Sequence, residues 1–600
     1  MTSQRLVRIG GASGAWGDSP RAIPQLLGAR IDYLMMDYLA EVTMSLLARA
    51  RMKDPAAGFP PDFIDYLRDA LPEISRRKIR IVTNAGGVNP AGCTAALRAI
   101  CSEIGVSLAI AAVEGDDVLP LTEKLRAEGT VEDLTGLALP PRLLTANAYL
   151  GALPIKSALD RGADVVITGR CADSALALGI LMHEFAWSPS DYDLLAAGSL
   201  VGHLLECGPQ STGGLYTDWE EVPDWPNIGY PIAECSPDGR FVVTKPAGTG
   251  GLVTRGTVAE QALYEIGDPA AYILPDVIAD FSQVQLTEQA VDRVLVTGAR
   301  GRPPTDLYKV SATYQDGFRA VATISIVGID AARKARRTAE ALLARARLTF
   351  AERAIGDFTS THIEEVGADA AYGGDTGGSR SREVLLRLVV LHRDRKAIDL
   401  FAREVGSVGI SFAPGTTGIL GGRPKPAPLI RLCTFFVKKT AMPRPRVMLG
   451  DETISVEIPS GSPAVGVSSE PAAPDVDVAP AAATVQVPLI RLALARSGDK
   501  GNLSNIAIIA RDPAFVPVLR REVTAERIAA HFRALVDGPV HRYEAPGIGA
   551  LNFVLENALG GGGMASSRLD PQGKAFGQMA LEMTVPVPVS LLSKLKSAPA

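Results

Sequence analysis

Short β-branched runs alternate with longer amphipathic stretches through the first half of the chain. Residues 6–14, LVRIGGASG, predict a strand and a turn, and SPRAIPQLLGAR predicts a helix with Ser19 and Pro20 as its start signals. IDYLMMDYLAE predicts a second strand running into the amphipathic VTMSLLARARMK. KIRIVTNAGG, PAGCTAALRAICSEIG and VSLAIAAVEGDD continue the rhythm as strand, helix and strand. SALDRGA, DVVITGR and SALALGILMHEF repeat it. Strand–helix alternation at this spacing favours parallel βαβ units, and strands apolar on both faces suit a sheet covered on both sides. The fold class expected is therefore α/β, a mostly parallel sheet with helices on both faces.

The pattern loosens between about Ala196 and Asp280, where Pro, Trp and Gly cluster, and this stretch reads as long loops over the sheet edge. Longer alternating runs follow, with helices expected at DAARKARRTAEALLARARLTFAERA and RKAIDLFAREVGS. Residues 1–290 are thus read as an α/β first half and 291–458 as an α+β second half. Residues 459–486 hold few large apolar groups and much Pro, Ala and Ser, so they read as an extended linker. Residues 487–600 read as a small α+β domain, with two strands around the polar turn SGDKGN.

A chain of 600 residues exceeds one ordinary core and implies about two to four domains. Hydrophobic residues are 47% and charged residues 21%, which excludes wholesale disorder. Lys and Arg total 61 against 66 Asp and Glu, so there is no basic surplus for a phosphate backbone, and a nucleic-acid partner is not expected. No apolar run reaches about 18 residues, so no membrane partner is expected either. Six scattered cysteines without CxxC pairs read as reduced thiols, and the first residues lack a signal peptide's apolar region. A cytoplasmic location is the resulting expectation, with homo-oligomerisation.

Ligands of open α/β sheets bind beyond the carboxyl ends of the strands, so the polar residues there are the candidates. The first strand ends near Gly14, Trp16 and Asp18, and the second at Asp37 and Glu41. The third ends at Asn84, Gly86, Gly87 and Asn89, and the fourth at Glu114 and Asp116. A later strand ends at Arg170 and Asp173. Each also has a plain structural reading: turns for the glycines, caps for the amides and acids, an ion pair for Arg170 with Asp173. Asp37 and Glu41 share a face if the helix has already begun. His203 and Glu206, at i and i+3, suit a base oriented by a carboxylate, or a satisfied buried histidine. Cys207 lies four residues beyond His203, the spacing a thiol–imidazole pair needs on a helix. Lys245, Thr249, Arg302 and Lys309 suit an anionic group or loop caps. In the tail, Ser497, Asp499, Lys500 and Asn502 share a tight turn that either completes the main site or forms an interface. There is no GxGxxG after the first strand, no GxxxxGK[ST], no GxSxG and no HExxH, which disfavours the standard NAD, ATP, serine-hydrolase and zincin chemistries.

The segments GAWGDSPRA, DYLMMDYLAEVTM, TNAGGVNPAG, VEGDD, ITGRCADSALALG, GSLVGHLLECG, GTGGLVTRGTVAEQ, GARGRPPTDLYKVSATYQDGFRA and APGTTG resemble the acyclic terpene utilisation protein A family. ARSGDKGNLSNIAIIA and GIGALNFVLENALGGGG resemble that family's ferredoxin-like C-terminal domain. The resemblance implies a role in breaking down acyclic terpenoids or branched acids. The expected substrate is a branched acyl-CoA or carboxylic acid, coenzyme A entering as a thioester, with lyase or hydratase chemistry. His203 or Glu41 is expected as base, supported by Asp37 and Glu114. Asn84, Asn89 and Arg170 are expected to hold the acyl group, with Gly14, Trp16, Asp18, Gly86, Gly87, Asp116 and Asp173 lining the site. Mg²⁺ on Asp37, Glu114 and Asp116 is an expectation from hard oxygen ligands alone. Two alternatives stand beside it: a non-catalytic scaffold subunit, and a hydrolase or acyltransferase using Cys207 and His203.

Overall fold

The computed structural model describes residues 5–374, 380–463 and 483–597. Its largest sheet has five parallel strands at the centre, in the order Val7–Ser13, Tyr33–Met36, Arg80–Thr83, Val165–Thr168, Ile110–Glu114. Successive residues of these strands feed two separate cores, as strand geometry requires. Met35, Val82 and Val166 join a core under the helices Leu153–Asp160, Ala175–Glu184 and Tyr192–Leu205. Leu34, Met36, Ile81 and Ile167 join the opposite core, under Pro61–Arg68 and Pro90–Glu103. Every central strand is therefore apolar on both faces, the feature the sequence displays.

Antiparallel strands extend this sheet at both edges. Ile232–Cys235, Phe241–Thr244, Arg293–Thr297 and Gln285–Ala290 add to one side, and Arg446–Leu449 with Glu452–Ser455 to the other. The stretch from 196 to 280, though mostly loop as expected, also supplies two of these strands and the helix Arg255–Ala262, capped reciprocally by Thr254 and Thr257. The expected division at residue 290 is corrected: it cuts through one hairpin, since 285–290 and 293–297 pair with each other.

A second sheet is built on one strand of 21 residues, Leu307–Val327. It pairs with Glu383–His392, Thr416–Leu420 and Ala427–Lys438, and helices Ala331–Glu352 and Arg395–Val405 cover its far half. Its near half pairs with Thr145–Ala148, a segment lying in sequence between strands of the first sheet. That crossing stitches the two sheets together and sets Tyr149, whose amide donates to the Lys309 carbonyl at 3.0 Å, beside Lys309.

The C-terminal domain is a four-stranded antiparallel sheet ordered Ala493–Lys500, Leu503–Ala510, Ala550–Leu555, Val540–Ala545. One face carries its own core with Phe515, Phe532, Phe553 and Phe576. The other face docks on the main body: Leu494, Ala507, Ile509 and Ala550 belong to the main core. Asn505 donates to the Leu263 carbonyl at 2.8 Å, and Asn552 to the Ile266 and Gly267 carbonyls at 2.8 and 2.6 Å. These amides satisfy carbonyls stranded just past the helix end, where an unpaired group would be costly. Of the expected linker 459–486, residues 464–482 lie outside the described residues. The flanks are structured: Ser462 bridges Thr305, and Thr484–Pro488 pairs with Thr584–Pro588.

Candidate active site

The carboxyl ends of the parallel strands do meet, and hydrogen bonds join them. Asn84 donates to Asp37 at 2.6 Å while its carbonyl oxygen accepts the Tyr38 amide at 2.8 Å, pinning the loop after the second strand. Ser13 and Thr83 hydroxyls donate to the Asp37 and Met36 carbonyls, both at 2.8 Å, from either side. Asp116 accepts from Asn147 at 2.8 Å and from the Arg170 amide at 2.9 Å. Arg170 spans the centre: its guanidinium donates to the Leu39 carbonyl at 3.0 Å and to Asp173 at 2.7 Å, and stacks 4.3 Å above the Tyr149 ring. Tyr149 in turn donates to Glu41 at 2.6 Å, and the Lys309 ammonium lies 5.3 Å from the same ring.

The second half of the site comes from elsewhere in the chain. The helix Tyr192–Leu205 buries His203, 1% exposed, whose Nδ1 lies 3.0 Å from Glu206. Its Nε2 is buried without a hydrogen-bond partner, and the ring faces Tyr272 at 6.1 Å. Lys500, at the end of the first strand of the C-terminal domain, donates to Glu265 at 2.8 Å. Its side chain remains 41% exposed, and those of Glu265 and Asp173 are each 25% exposed. These groups line an open cleft rather than a sealed core.

Electrostatics divide the cleft. Burial, then Asp173 and Glu206, push the Asp37 carboxyl well above its ordinary value. Burial raises Asp173 to about 6, with Glu206 adding to the push and Arg170 opposing it. Burial, Glu265 and Glu41 raise Asp499 to about 7. Glu41 goes the other way: its burial is outweighed by Arg170, Lys309 and Lys500, which hold it at about 2. The cleft thus presents protonatable acids at Asp37, Asp173 and Asp499, and cations at Arg170, Lys309 and Lys500.

Other expected site residues do not join this network. The expected shared helical face of Asp37 and Glu41 is corrected: the helix begins at Glu41, and Asp37 stands in the loop before it. Glu114 pairs with Arg446 at 3.0 Å, across the sheet's antiparallel edge. Asn89 caps its own helix through the Gly92 amide and donates to the Ala57 carbonyl at 2.8 Å. Asp18 accepts from the Gly14 amide at 2.9 Å and from Tyr230 at 2.6 Å, and Trp16 packs against the second core. Gly86 lets the chain pass where a Cβ would lie 2.4 Å from the Thr168 carbonyl oxygen, and Gly87 adopts φ +56° beneath Gly58. These residues shape backbone. The expected Mg²⁺ set does not converge, because Asp116 is taken by Asn147 and Arg170 while Glu114 faces Arg446. Among the described residues, no group of three His, Cys, Asp or Glu side chains is arranged to hold a metal ion.

Tyr149, Glu265 and Tyr272 are members that sequence reasoning missed; they come from segments whose proximity depends on long-range pairing. A groove of about 1170 Å³ opens between the helix Ala331–Glu352 and the C-terminal domain, lined by Arg336, Arg337, Leu535 and Arg568 among others. None of the cleft residues lines it.

A covered parallel sheet, a stitched second sheet and a docked ferredoxin-like domain, closing together on one charged cleft, define a multidomain α/β protein with a composite site. The chain belongs to the acyclic terpene utilisation family: residues 7–448 match the model described as acyclic terpene utilisation family protein AtuA, and residues 487–586 match the AtuA ferredoxin-like domain. That membership connects it with acyclic terpene utilisation. No curated protein matches the chain, and no solved structure does.

Proposed function

We propose that the protein is an enzyme acting on a branched acyl-CoA or related carboxylic acid by lyase or hydratase chemistry. Such reactions need a group to take or give a proton near a carbonyl and a donor for the negative charge that develops on its oxygen. One observation carries the reading: Asp37, its proton affinity raised by burial and neighbouring acids, is held by Asn84 two residues before the Leu39 carbonyl that Arg170 binds, so that a raised carboxyl and a fixed cation lie in one network. A carboxyl shifted upward is suited to exchange a proton near neutral pH. His203 Nε2, oriented through Glu206 and unpartnered, is the second proton-transfer group. Asn84 positions Asp37, and Asp173 positions Arg170.

The thiol alternative is less well supported. Burial, then Glu206 and Glu265, push the Cys207 thiol well above its ordinary value, so it stays protonated and weakly nucleophilic. The scaffold alternative is also less well supported, because one face of the C-terminal sheet is buried against the main core rather than left open to a partner. Incubation of purified protein with hydroxyacyl-CoA esters of the acyclic terpenoid and leucine-type series tests the proposal by product formation. Turnover of at least one ester is expected, and none across the series, with and without Mg²⁺, refutes it.

A further inference from the structure

The groove of about 1170 Å³ between the helix Ala331–Glu352 and the C-terminal domain contains no residue of the cleft, and the proposed acyl chemistry makes no use of it. Lys334, Arg337, Thr338 and Ala341 line it, and their i, i+3, i+4, i+7 spacing sets them in one stripe on the helix. Arg568 lines it from the C-terminal domain. Most acids of the groove are already engaged. Asp330 pairs with Arg333 at 3.4 Å, and Glu365 with Arg336 at 2.8 Å. Glu364 accepts from Arg387 at 2.5 Å and from the Leu569 amide at 2.7 Å. Asp570 accepts the amides of Lys574 and Ala575 at 3.0 and 2.8 Å. Among the described residues, Lys334, Arg337 and Arg568 form no ion pair, and Glu340 is the one groove acid left without a partner. The groove therefore carries a surplus of positive charge. The helix, 22 residues long, also begins there: Asp330 and Ala332 line the groove, and no side chain caps the first turn, so the positive end of its dipole adds to the surplus. Thr338 supplies an independent sign. It is 1% exposed, and its hydroxyl has no hydrogen-bond partner, an expensive state for a buried polar group.

We propose that this groove is a second ligand site and that it takes a nucleoside phosphate. Phosphate oxygens would meet Lys334, Arg337 and Arg568, and a phosphate or ribose oxygen would give the Thr338 hydroxyl its partner. Phe412, Leu535 and Phe576 line the same groove and offer apolar surface to a base. The volume is that of a pocket for a whole organic ligand and far exceeds a lone phosphate. Because the helix and Arg568 belong to different domains, a bound nucleotide would bridge the second sheet to the C-terminal domain. Two sources carry this chemistry: a free nucleotide, and the nucleotide end of coenzyme A.

Direct binding tests the site without turnover, so its outcome is separate from that of the acyl chemistry. Adenosine 3′,5′-bisphosphate, uncharged adenosine and coenzyme A are titrated into the full chain by calorimetry. The chains compared are wild type, the double variant Lys334→Gln/Arg337→Gln, Thr338→Val, and Asp37→Asn as a change confined to the cleft. The bisphosphate is expected to bind wild type about tenfold or more tightly than adenosine, since only it carries the charge. The double variant should lose about tenfold or more in bisphosphate affinity, and Thr338→Val about fivefold. Asp37→Asn should lose none. Melting points without ligand establish that the variants are folded. Coenzyme A bound as tightly as the bisphosphate, with the same loss in the double variant, assigns the groove to the nucleotide end of the thioester; the bisphosphate bound alone assigns it to a free nucleotide. No bisphosphate binding by wild type, equal binding of bisphosphate and adenosine, or undiminished affinity in the folded double variant or in Thr338→Val would overturn the site, as would a loss seen only in Asp37→Asn.

Discussion

Asp499 shows how a single side chain reports on the cleft. Its folded-state value near 7 exceeds the ordinary 3.8, so between those values the folded protein binds more protons than the unfolded chain. Stability contributed by this group is therefore present below about 4 and is lost as pH rises towards 7. An Asp499→Asn variant should gain melting temperature relative to wild type as pH is raised from about 4 to about 7, and a difference that stays constant across this window would contradict the assignment. Tyr149→Phe removes the hydroxyl that donates to Glu41 and should cost about 1–2 kcal/mol in denaturant unfolding. Residue types announced part of this site: Asp37, Asn84, Asp116 and Arg170 were legible because polar groups at the ends of parallel strands must share one edge. Tyr149 and Glu265 gave no such signal, since an aromatic or an acid near a loop has many unrelated uses.

Among the elements, the parallel strands were legible from their two-sided apolar runs. The antiparallel edge strands were not. Ile232–Cys235 and Phe241–Thr244 have only four residues each and lie among Pro, Gly and Trp, where local pattern reads as loop. Their pairing is set by the neighbouring sheet edge rather than by their own alternation. The hairpin that carries Lys500 was readable as two strands around a polar turn, yet its destination was not. Its close approach to Tyr264 and Glu265 makes a specific expectation. Gly498→Ala should destabilise the fold by about 1–3 kcal/mol, measured in denaturant, because a Cβ there would lie 2.5 Å from the buried Tyr264 ring and 2.8 Å from Glu265 Cγ, so that something must shift. An unchanged midpoint would show the tip to be free of that contact.

The molecule as a whole joins segments that sequence order separates. Residues 145–148 cross into the second sheet, residues 446–455 return to the first, and the tail domain seals its free face against the main core. Such long-range pairing carries no local signature, which is why half of the cleft could not be assembled from motifs. Asn552 lies wholly buried in the seam between domains and donates to two carbonyls. Asn552→Ala should cost about 2–4 kcal/mol by leaving both unpaired and should lower the first unfolding transition seen by calorimetry. A transition at the wild-type temperature would mean that the seam does not depend on this amide.

The proposed chemistry places proton transfer at Asp37 in the composite cleft and gives Cys207 no nucleophilic part in it. It is tested most directly by comparing kcat for an accepted acyl ester in wild type, Asp37→Asn and Cys207→Ala, with melting points recorded alongside. A fall of about 10²–10⁴ is expected for folded Asp37→Asn, with near-wild-type turnover for Cys207→Ala. Full activity in Asp37→Asn, or an inactive but folded Cys207→Ala, would contradict it.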